Sequence, residues 1–294
     1  MERKAYLLHA LSPLHAGTGH AADVIDLPIA RMKATGIPIV PGSSIKGVLR
    51  DARRPMSVGA NNDALPKWLA TFGPETQNAG DYAGALVVSE ARLLALPVRS
   101  FRGTFAYVTC PLLLRLAKRD LGSRNPEMPI PTISDQKAMV GPDSAIAHEG
   151  KLYLQDLDLP LVMGSEKQVK AWSDWLARLV CGEEKADDIL SKRFAIVDDD
   201  TMSFLWETAT QLDQRVRLNE QTRTVDRGAL WLEESLPAET ILIGLMEADR
   251  SRKGGFEMQP AEVLEFADTG EMTLQFGGKA TTGHGRCRLL PVAA

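Results

Sequence analysis

The chain is short of three things, and each shortage excludes a class of protein. It has 3 cysteines in 294 residues, at positions 110, 181 and 287. Their odd number, wide spacing and lack of a CxxC pair exclude a disulfide framework and a zinc site, and imply a reducing cytoplasm. There is no excess of positive charge: 34 Lys and Arg against 38 Asp and Glu leave a net charge of −4. That balance excludes nucleic-acid binding of the polycationic kind. No apolar run approaches the ~18 residues of a membrane span; Ile241 to Met246 is among the longest. No crossing of a bilayer is expected.

What remains is ordinary globular material, 44% hydrophobic and 24% charged, enough to bury a core and too apolar for wholesale disorder. Arg3 and Lys4 before the apolar stretch Ala5 to Leu11 imitate a signal peptide, but His9 interrupts it and no small-residue cleavage site follows. A first strand is the better reading. No fixed-period repeat or low-complexity tract occurs.

Further along, Asp23 to Ile29 is stopped by Pro28 and reads as an irregular or extended loop. Gly42-Ser43-Ser44 then caps a helix whose apolar positions Ile45, Val48, Leu49 and Ala52 recur at i, i+3, i+4 and i+7. Its other face carries Lys46, Arg50, Arg53 and Arg54. Ala85 to Leu94 reads as one strand, and Pro111 opens a helix through Leu116. From Leu121 to Gly150 no period is visible, which predicts a long mobile connection. Val169, Trp172, Trp175, Leu176, Leu179 and Val180 make a helical stripe whose tryptophans belong in a core. Glu183 to Asp200 holds seven acids against three bases and reads as a solvated surface.

Val216 to Leu218 and Thr222 to Val225 flank Asn219-Glu220-Gln221, a predicted hairpin. Thr240 to Met246 is a strand, Pro260 to Phe266 a short helix, Met272 to Phe276 and Cys287 to Leu290 two more strands. Strand, helix, strand at each end of the chain is the order of an α+β, ferredoxin-like (RRM-like) β-α-β-β-α-β unit. The expected division is a single domain with a palm from residues 1–100 and 238–294, a helical and loop insertion at 101–213 and a hairpin at about 214–237.

Positive charge is unevenly spread. Residues 31–54 hold six bases and one acid, residues 91–119 six bases and no acid, and the last twenty residues three bases and no acid. Brought together, these islands suit a phosphodiester backbone; left apart, they are solvated faces. Near the C-terminus Gly277, Gly278, Gly283 and Gly285 are interleaved with Lys279, Thr281, Thr282 and Arg286. Such a loop lets amides, hydroxyls and cations close on phosphates. Its spacing is neither that of a P-loop nor of a dinucleotide fold, so nucleotide hydrolysis has no support.

Several motifs in order resemble the RAMP superfamily of CRISPR proteins: Leu14-His15-Ala16-Gly17-Thr18-Gly19, Asp26-Leu27-Pro28-Ile29, Pro41-Gly42-Ser43-Ser44-Ile45-Lys46-Gly47-Val48-Leu49-Arg50, and the glycine loop. Within it, Leu96-Pro97-Val98-Arg99-Ser100, Gly103-Thr104-Phe105-Ala106-Tyr107 and Gly228 to Pro237 are similar to the backbone subunits of type III-B (Cmr) effector complexes. The resemblance implies a palm that binds guide RNA, copies stacked in a helical filament with other subunits of the complex, and a hairpin thumb that interrupts guide–target pairing. It also implies cleavage of the paired single-stranded target RNA beside each interruption, with Mg²⁺ or Mn²⁺.

Under that resemblance Asp26 is the catalytic carboxylate and the metal ligand, while His15 is either a proton donor, a phosphate contact or a structural histidine. Glu233 or Glu234 reaches the scissile site or is merely an exposed acidic pair. Cleavage by the RNA's own 2′-hydroxyl needs in-line placement, removal of a proton and stabilisation of phosphate charge. Asp26 serves either through a hydrated cation or by taking the proton itself. Ser43, Ser44, Lys46 and Arg50 are expected on the guide backbone. Val216, Leu218, Arg223 and Val225 are expected to wedge between base pairs. Two readings stay open beside this one: a purely structural RNA-binding filament subunit, and a stand-alone guide-processing ribonuclease.

Overall fold

The protein is described from a computed structural model covering residues 1–19, 25–55, 63–122, 128–182, 189–268 and 270–292. The first half contains β1 (Glu2–Ala10), β2 (Ile39–Val40), α1 (Gly42–Ala52), α2 (Ala64–Phe72), β3 (Leu86–Val88), β4 (Ala91–Arg99), β5 (Phe105–Thr109), α3 (Pro111–Leu121) and β6 (Ala138–Val140). Next come β7 (Ala147–His148), β8 (Lys151–Leu154), β9 (Leu157–Pro160), α4 (Glu166–Cys181), β10 (Phe194–Val197) and α5 (Asp199–Thr208). The remainder is β11 (Gln211–Leu218), β12 (Val225–Ser235), β13 (Ile241–Ala248), α6 (Pro260–Ala267), β14 (Met272–Gln275) and β15 (Arg286–Pro291).

Strand β1 is buried without a break from Ala5 to Ala10, because both faces of its sheet are covered. Tyr6, Leu8 and Ala10 enter one hydrophobic cluster with Ile45, Leu49, Trp68 and Val263. Ala5 and Leu7 enter the other with Leu114, Trp172 and Trp175. The main path of this sheet runs β14-β15-β1-β13-β4-β5-β10-β6, with β2 on β4 and β3 on β13. From β15 to β4 every neighbour is antiparallel. Helix α1 lies in the chain between β1 and β4, and α6 between β13 and β15. Strands β7, β8 and β9 make a second, small sheet, and β11 with β12 a separate ribbon. No helix among the described residues is long and apolar enough to cross a membrane.

Several expectations are corrected. The strand read from Ala85 to Leu94 is two, β3 and β4, because at Ser89 the hydroxyl replaces the carbonyl on the Leu245 N–H at 2.8 Å while that carbonyl accepts the Tyr6 hydroxyl at 3.0 Å. The stretch 121–150, read as a mobile connection, carries β6, a buried member of the main sheet; residues 123–127 lie outside the described ones. Three residues are too few to show a period. The acidic stretch to Asp200 is not a solvated surface at its end. Phe194–Val197 is fully buried beside β5, and Asp198 caps α5 by accepting the Thr201 N–H at 2.9 Å. The insertion is therefore partly sheet, built into the same core.

At the end of β1, Glu239 accepts from the Tyr107 hydroxyl at 2.7 Å and bonds His9 Nε2 at 2.9 Å. The bond from His9 outweighs partial desolvation and, helped by Tyr107, holds the Glu239 carboxyl below its ordinary value of 4.5. A depressed carboxylate adds stability that is complete above the unfolded value and lost as pH falls through the folded one. The unfolding midpoint should therefore drop as pH is lowered from about 5 to 3, and Glu239→Gln should flatten that drop; an unchanged pH dependence in thermal melts would refute the assignment.

Candidate functional site

Four segments that are remote in sequence meet at the base of the β11–β12 ribbon. The chain leaving β1 pairs Leu14 with Leu236, and Gly17 with Ile29. Leu27 lies parallel to Glu233: its N–H donates to Leu232 O at 3.1 Å, and Glu234 N–H donates to Leu27 O at 3.0 Å. The glycine loop closes the fourth side, with Gly278 N–H on His15 O at 2.9 Å and Gly285 N–H on Pro13 O at 2.7 Å. Gly277 has φ +69°, and a side chain there would collide with the His15 carbonyl.

Asp26 is exposed on the loop expected for it. Its Oδ2 accepts the Leu232 N–H at 2.8 Å, and Oδ1 bonds no described residue. His15 is 7% exposed, with Nδ1 at 2.6 Å from Glu234 O. A carbonyl only accepts, so Nδ1 carries a proton, and in the neutral ring the lone pair is then on Nε2. Both side chains are thus anchored to one edge of β12, at residues 232 and 234, roughly 7 Å apart along the strand.

Glu234, expected as a catalytic candidate, is 1% exposed and fully engaged. Oε2 accepts Ile29 N–H at 3.0 Å, and Oε1 accepts Arg31 Nη2 at 2.6 Å. It braces the loop that carries Asp26 and does not face the solvent. Arg31 also donates Nη1 to Trp206 O at 3.0 Å, tying α5 to the site. Glu233 is likewise buried, accepting from Lys279 Nζ at 2.6 Å, Trp231 Nε1 at 2.7 Å and Arg215 Nε at 3.3 Å. Desolvation raises its pKa, but the bonds from Lys279 and Trp231 and the charges of Lys279 and Arg215 prevail and leave it lowered. Arg215 Nη2 lies 3.3 Å from His284 Nε2.

The expected phosphate contacts divide. Ser43 and Ser44 stand exposed in the first turn of α1, whose leading N–H groups lack helical partners. Gly277, Gly278, Thr281, Thr282, Gly283 and Arg286 are exposed as well, around the short turn Ala280–Thr282, while Gly285 is buried. Lys279 is half-buried in its pair with Glu233. Lys46 and Arg50 turn inward. Lys46 Nζ donates to Leu86 O at 2.6 Å, and burial followed by the Arg50 charge lowers its pKa. Arg50 donates to Phe72 O at 3.2 Å, Gly73 O at 3.1 Å and Pro74 O at 2.8 Å, over the Trp68 ring. Their helical spacing gives a shared face, but β3 and α2 cover it.

The predicted hairpin is longer than its central residues, spanning Gln211–Leu218 and Val225–Ser235. Leu212, Val216, Leu218, Val225 and Leu230 are each about half exposed; Val216 sits opposite Leu230 and Leu218 opposite Val225, on one face. Arg223 lies in the turn with φ +58°. Arg31, Arg215 and His284 are not singled out by the sequence, although Arg31 lies in the first basic island and His284 in the glycine loop.

A protein built this way, with an exposed carboxylate and a histidine hung on the rim of a projecting ribbon, belongs to the RAMP superfamily, whose profile matches residues 7–288. Its relatives sharpen the class. Over 287 residues the chain is 34% identical to the CRISPR system Cmr endoribonuclease Cmr4 of Pyrococcus furiosus, covering 96% of this chain and 94% of that protein. The solved structure of oligomeric Cmr4 from Pyrococcus furiosus matches with TM-score 0.72 at 27% identity over 98% of each chain. A chain of the type III-B Cmr-beta complex bound to cognate target RNA shares the fold, with TM-score 0.73 at 18% identity over 99% of this chain and 97% of that one.

Arg50 here is a brace between α1 and the end of α2. Arg50→Ala leaves three carbonyls short of a donor and should cost about 1–3 kcal/mol in denaturant unfolding; an unaltered midpoint would return Arg50 to the list of free phosphate contacts.

Proposed function

We propose that this chain is a guide-RNA-binding backbone subunit of a type III-B CRISPR complex, stacked with further copies of itself, and that it cuts the complementary target RNA. The observation that carries the reading is the exposed Asp26 carboxylate clamped by Leu232 N–H on the same strand edge that fixes the His15 tautomer. Kinship with Cmr4 endoribonuclease supports it. The antiparallel order β15-β1-β13-β4, with α1 and α2 in the chain between β1 and β4 and α6 between β13 and β15, supports a ferredoxin-like palm drawn mainly from residues 1–100 and 238–294. The β11–β12 ribbon is the thumb.

The chemistry follows from the two anchored groups. A phosphodiester set between the free ends of these two side chains, Asp26 Oδ1 and His15 Nε2, has the 2′-hydroxyl of the preceding ribose on one side and its leaving 5′-oxygen on the other. His15 Nε2, with the opposite ring nitrogen committed to a carbonyl, accepts the 2′-hydroxyl proton as that oxygen attacks phosphorus in line; the P–O5′ bond breaks, a 2′,3′-cyclic phosphate forms and the departing 5′-oxygen takes a proton from water. Ser43, Ser44, Thr281, Thr282 and Arg286 hold the flanking backbone, which supplies the placement. The free Oδ1 of Asp26 fits a hydrated Mg²⁺ or Mn²⁺ shared with RNA phosphates, a mode that needs only one or two protein carboxylates. When bound, such an ion neutralises phosphate charge. Among the described residues no group of three or more His, Cys, Asp or Glu side chains stands ready to cage an ion, so the RNA itself would complete the coordination.

Asp26→Asn keeps the bond to Leu232 and removes the charge. Target binding should persist while cleavage falls by about 10²-fold or more; undiminished cleavage would leave the purely structural filament subunit as the reading. A second test leaves both groups in place. A Cβ on Gly17 would come within 2.6 Å of His15 Nε2, so Gly17→Ala should displace the ring and slow cleavage by roughly 10²-fold with RNA affinity retained. Full activity in single-turnover assays would remove His15 from the mechanism.

A further inference from the structure

The turn Arg99-Ser100-Phe101-Arg102-Gly103-Thr104 takes no part in the site above, yet it is firmly built. Ser100 N–H donates to Thr104 O at 3.0 Å, Gln155 N–H to Arg99 O at 3.0 Å, and Arg193 Nε to Gly103 O at 2.9 Å. Gly103 has φ +67°, and a Cβ there would stand 3.0 Å from Ile146 Cγ2. Thr104 holds φ +76°, a region that β-branched residues avoid. Strain of this kind persists where the surroundings enforce it, and it is often tied to function. Here it presents Phe101, 79% exposed, at the tip. Arg99 and Arg102 flank the ring, both exposed, and their guanidinium groups bond no described residue.

Phe204 of α5, 51% exposed, lines the same groove of about 650 Å³ together with Phe101, Arg99, Asp156, Leu157 and Thr208. The groove lies on the side of the sheet where Asp26 works. His9 is opposite Ile241, and Ile241 opposite Ala95, so β4 runs the same way as β1. Its continuation to Phe101 therefore leaves the sheet at the end where β1 leads to His15, two strand spacings or about 10 Å to the side. Helix α5 joins the two places: Phe204 lies on it, and Arg31 holds its Trp206 carbonyl while holding Glu234.

We infer that this groove is a base-stacking subsite for single-stranded RNA, continuous with the Asp26 site; the inference rests on the RNA-binding reading above. An exposed ring beside partner-free guanidinium groups is the chemistry that stacks a nucleobase and holds its phosphate, whatever the base. Asp156 repels phosphate but accepts bonds from the amino groups of bases. The base therefore enters the groove while its backbone stays with Arg99 and Arg102. A purely apolar protein partner would leave those polar groups unsatisfied.

The test uses the full chain with single-stranded oligoribonucleotides that each carry one 2-aminopurine, read by fluorescence quenching and anisotropy. At one or more positions the wild type and Phe101→Trp should quench the probe. Phe101→Ala should relieve the quenching and weaken binding roughly 5- to 150-fold, the worth of one stacked base, with an unchanged melting temperature because the ring is exposed. Arg99→Gln with Arg102→Gln should lower the salt slope of binding by about 1.4. Equal quenching and affinity in Phe101→Ala would overturn the subsite while leaving the RNA-binding reading intact. Loss of self-association in Phe101→Ala with RNA affinity unaltered would overturn it too, marking a protein surface. A wild-type chain that bound none of the oligoribonucleotides would overturn both.

Discussion

The short parallel pairing of Leu27 with the 232–234 edge of β12 is the constraint from which the site's geometry follows. Leu232 N–H has nowhere to go but to Asp26 or to water, and Glu234 O orients His15 through the imidazole proton. Between them Glu234 sends its carboxylate back to Ile29 and Arg31. A buried carboxylate left without its arginine is strongly destabilising, so that pair keeps the loop seated wherever the ribbon goes. Asp26 and Leu232 are 206 positions apart in sequence. The edge is therefore a product of tertiary structure, closed between two distant stretches of the chain at a cost in loop entropy.

Segments with a strong period were legible. The i, i+3, i+4 pattern from Ile45, the proline-opened helices at Pro111 and Pro260, and the tryptophan stripe of α4 all lie where expected, because each buries one face against a continuous sheet. The short strands β6 and β10 are not legible: three or four buried residues show no alternation, and their burial comes from strands far away in sequence. Lys46 and Arg50 illustrate the opposite error. Their placement on one helical face was right, but what covers that face is decided by β3 and α2. Asp26, His15 and the glycine loop were legible as motifs, and Arg31, Arg215 and His284 were not, since their roles are to satisfy partners that only the fold supplies.

The basic islands shrink in the same way. Lys46 and Arg50 are consumed by carbonyls, Arg31 and Lys279 by Glu234 and Glu233. Exposed groups left from these islands and loops include Lys33, Arg99, Arg102 and Arg286 with the hydroxyls of Ser43, Ser44 and Thr281. On a body of net charge −4 the long-range pull on a polyanion is weak, so any such ligand would be held mainly by short-range contacts with backbone amides and hydroxyls.

The ribbon's half-exposed row of Leu212, Val216, Leu218, Val225 and Leu230 has a bearing on the life of the protein outside its assembly. A two-stranded ribbon carrying a greasy face is an invitation to indiscriminate clumping. Left uncovered, that face would lower the solubility of the polypeptide when it is overproduced by itself.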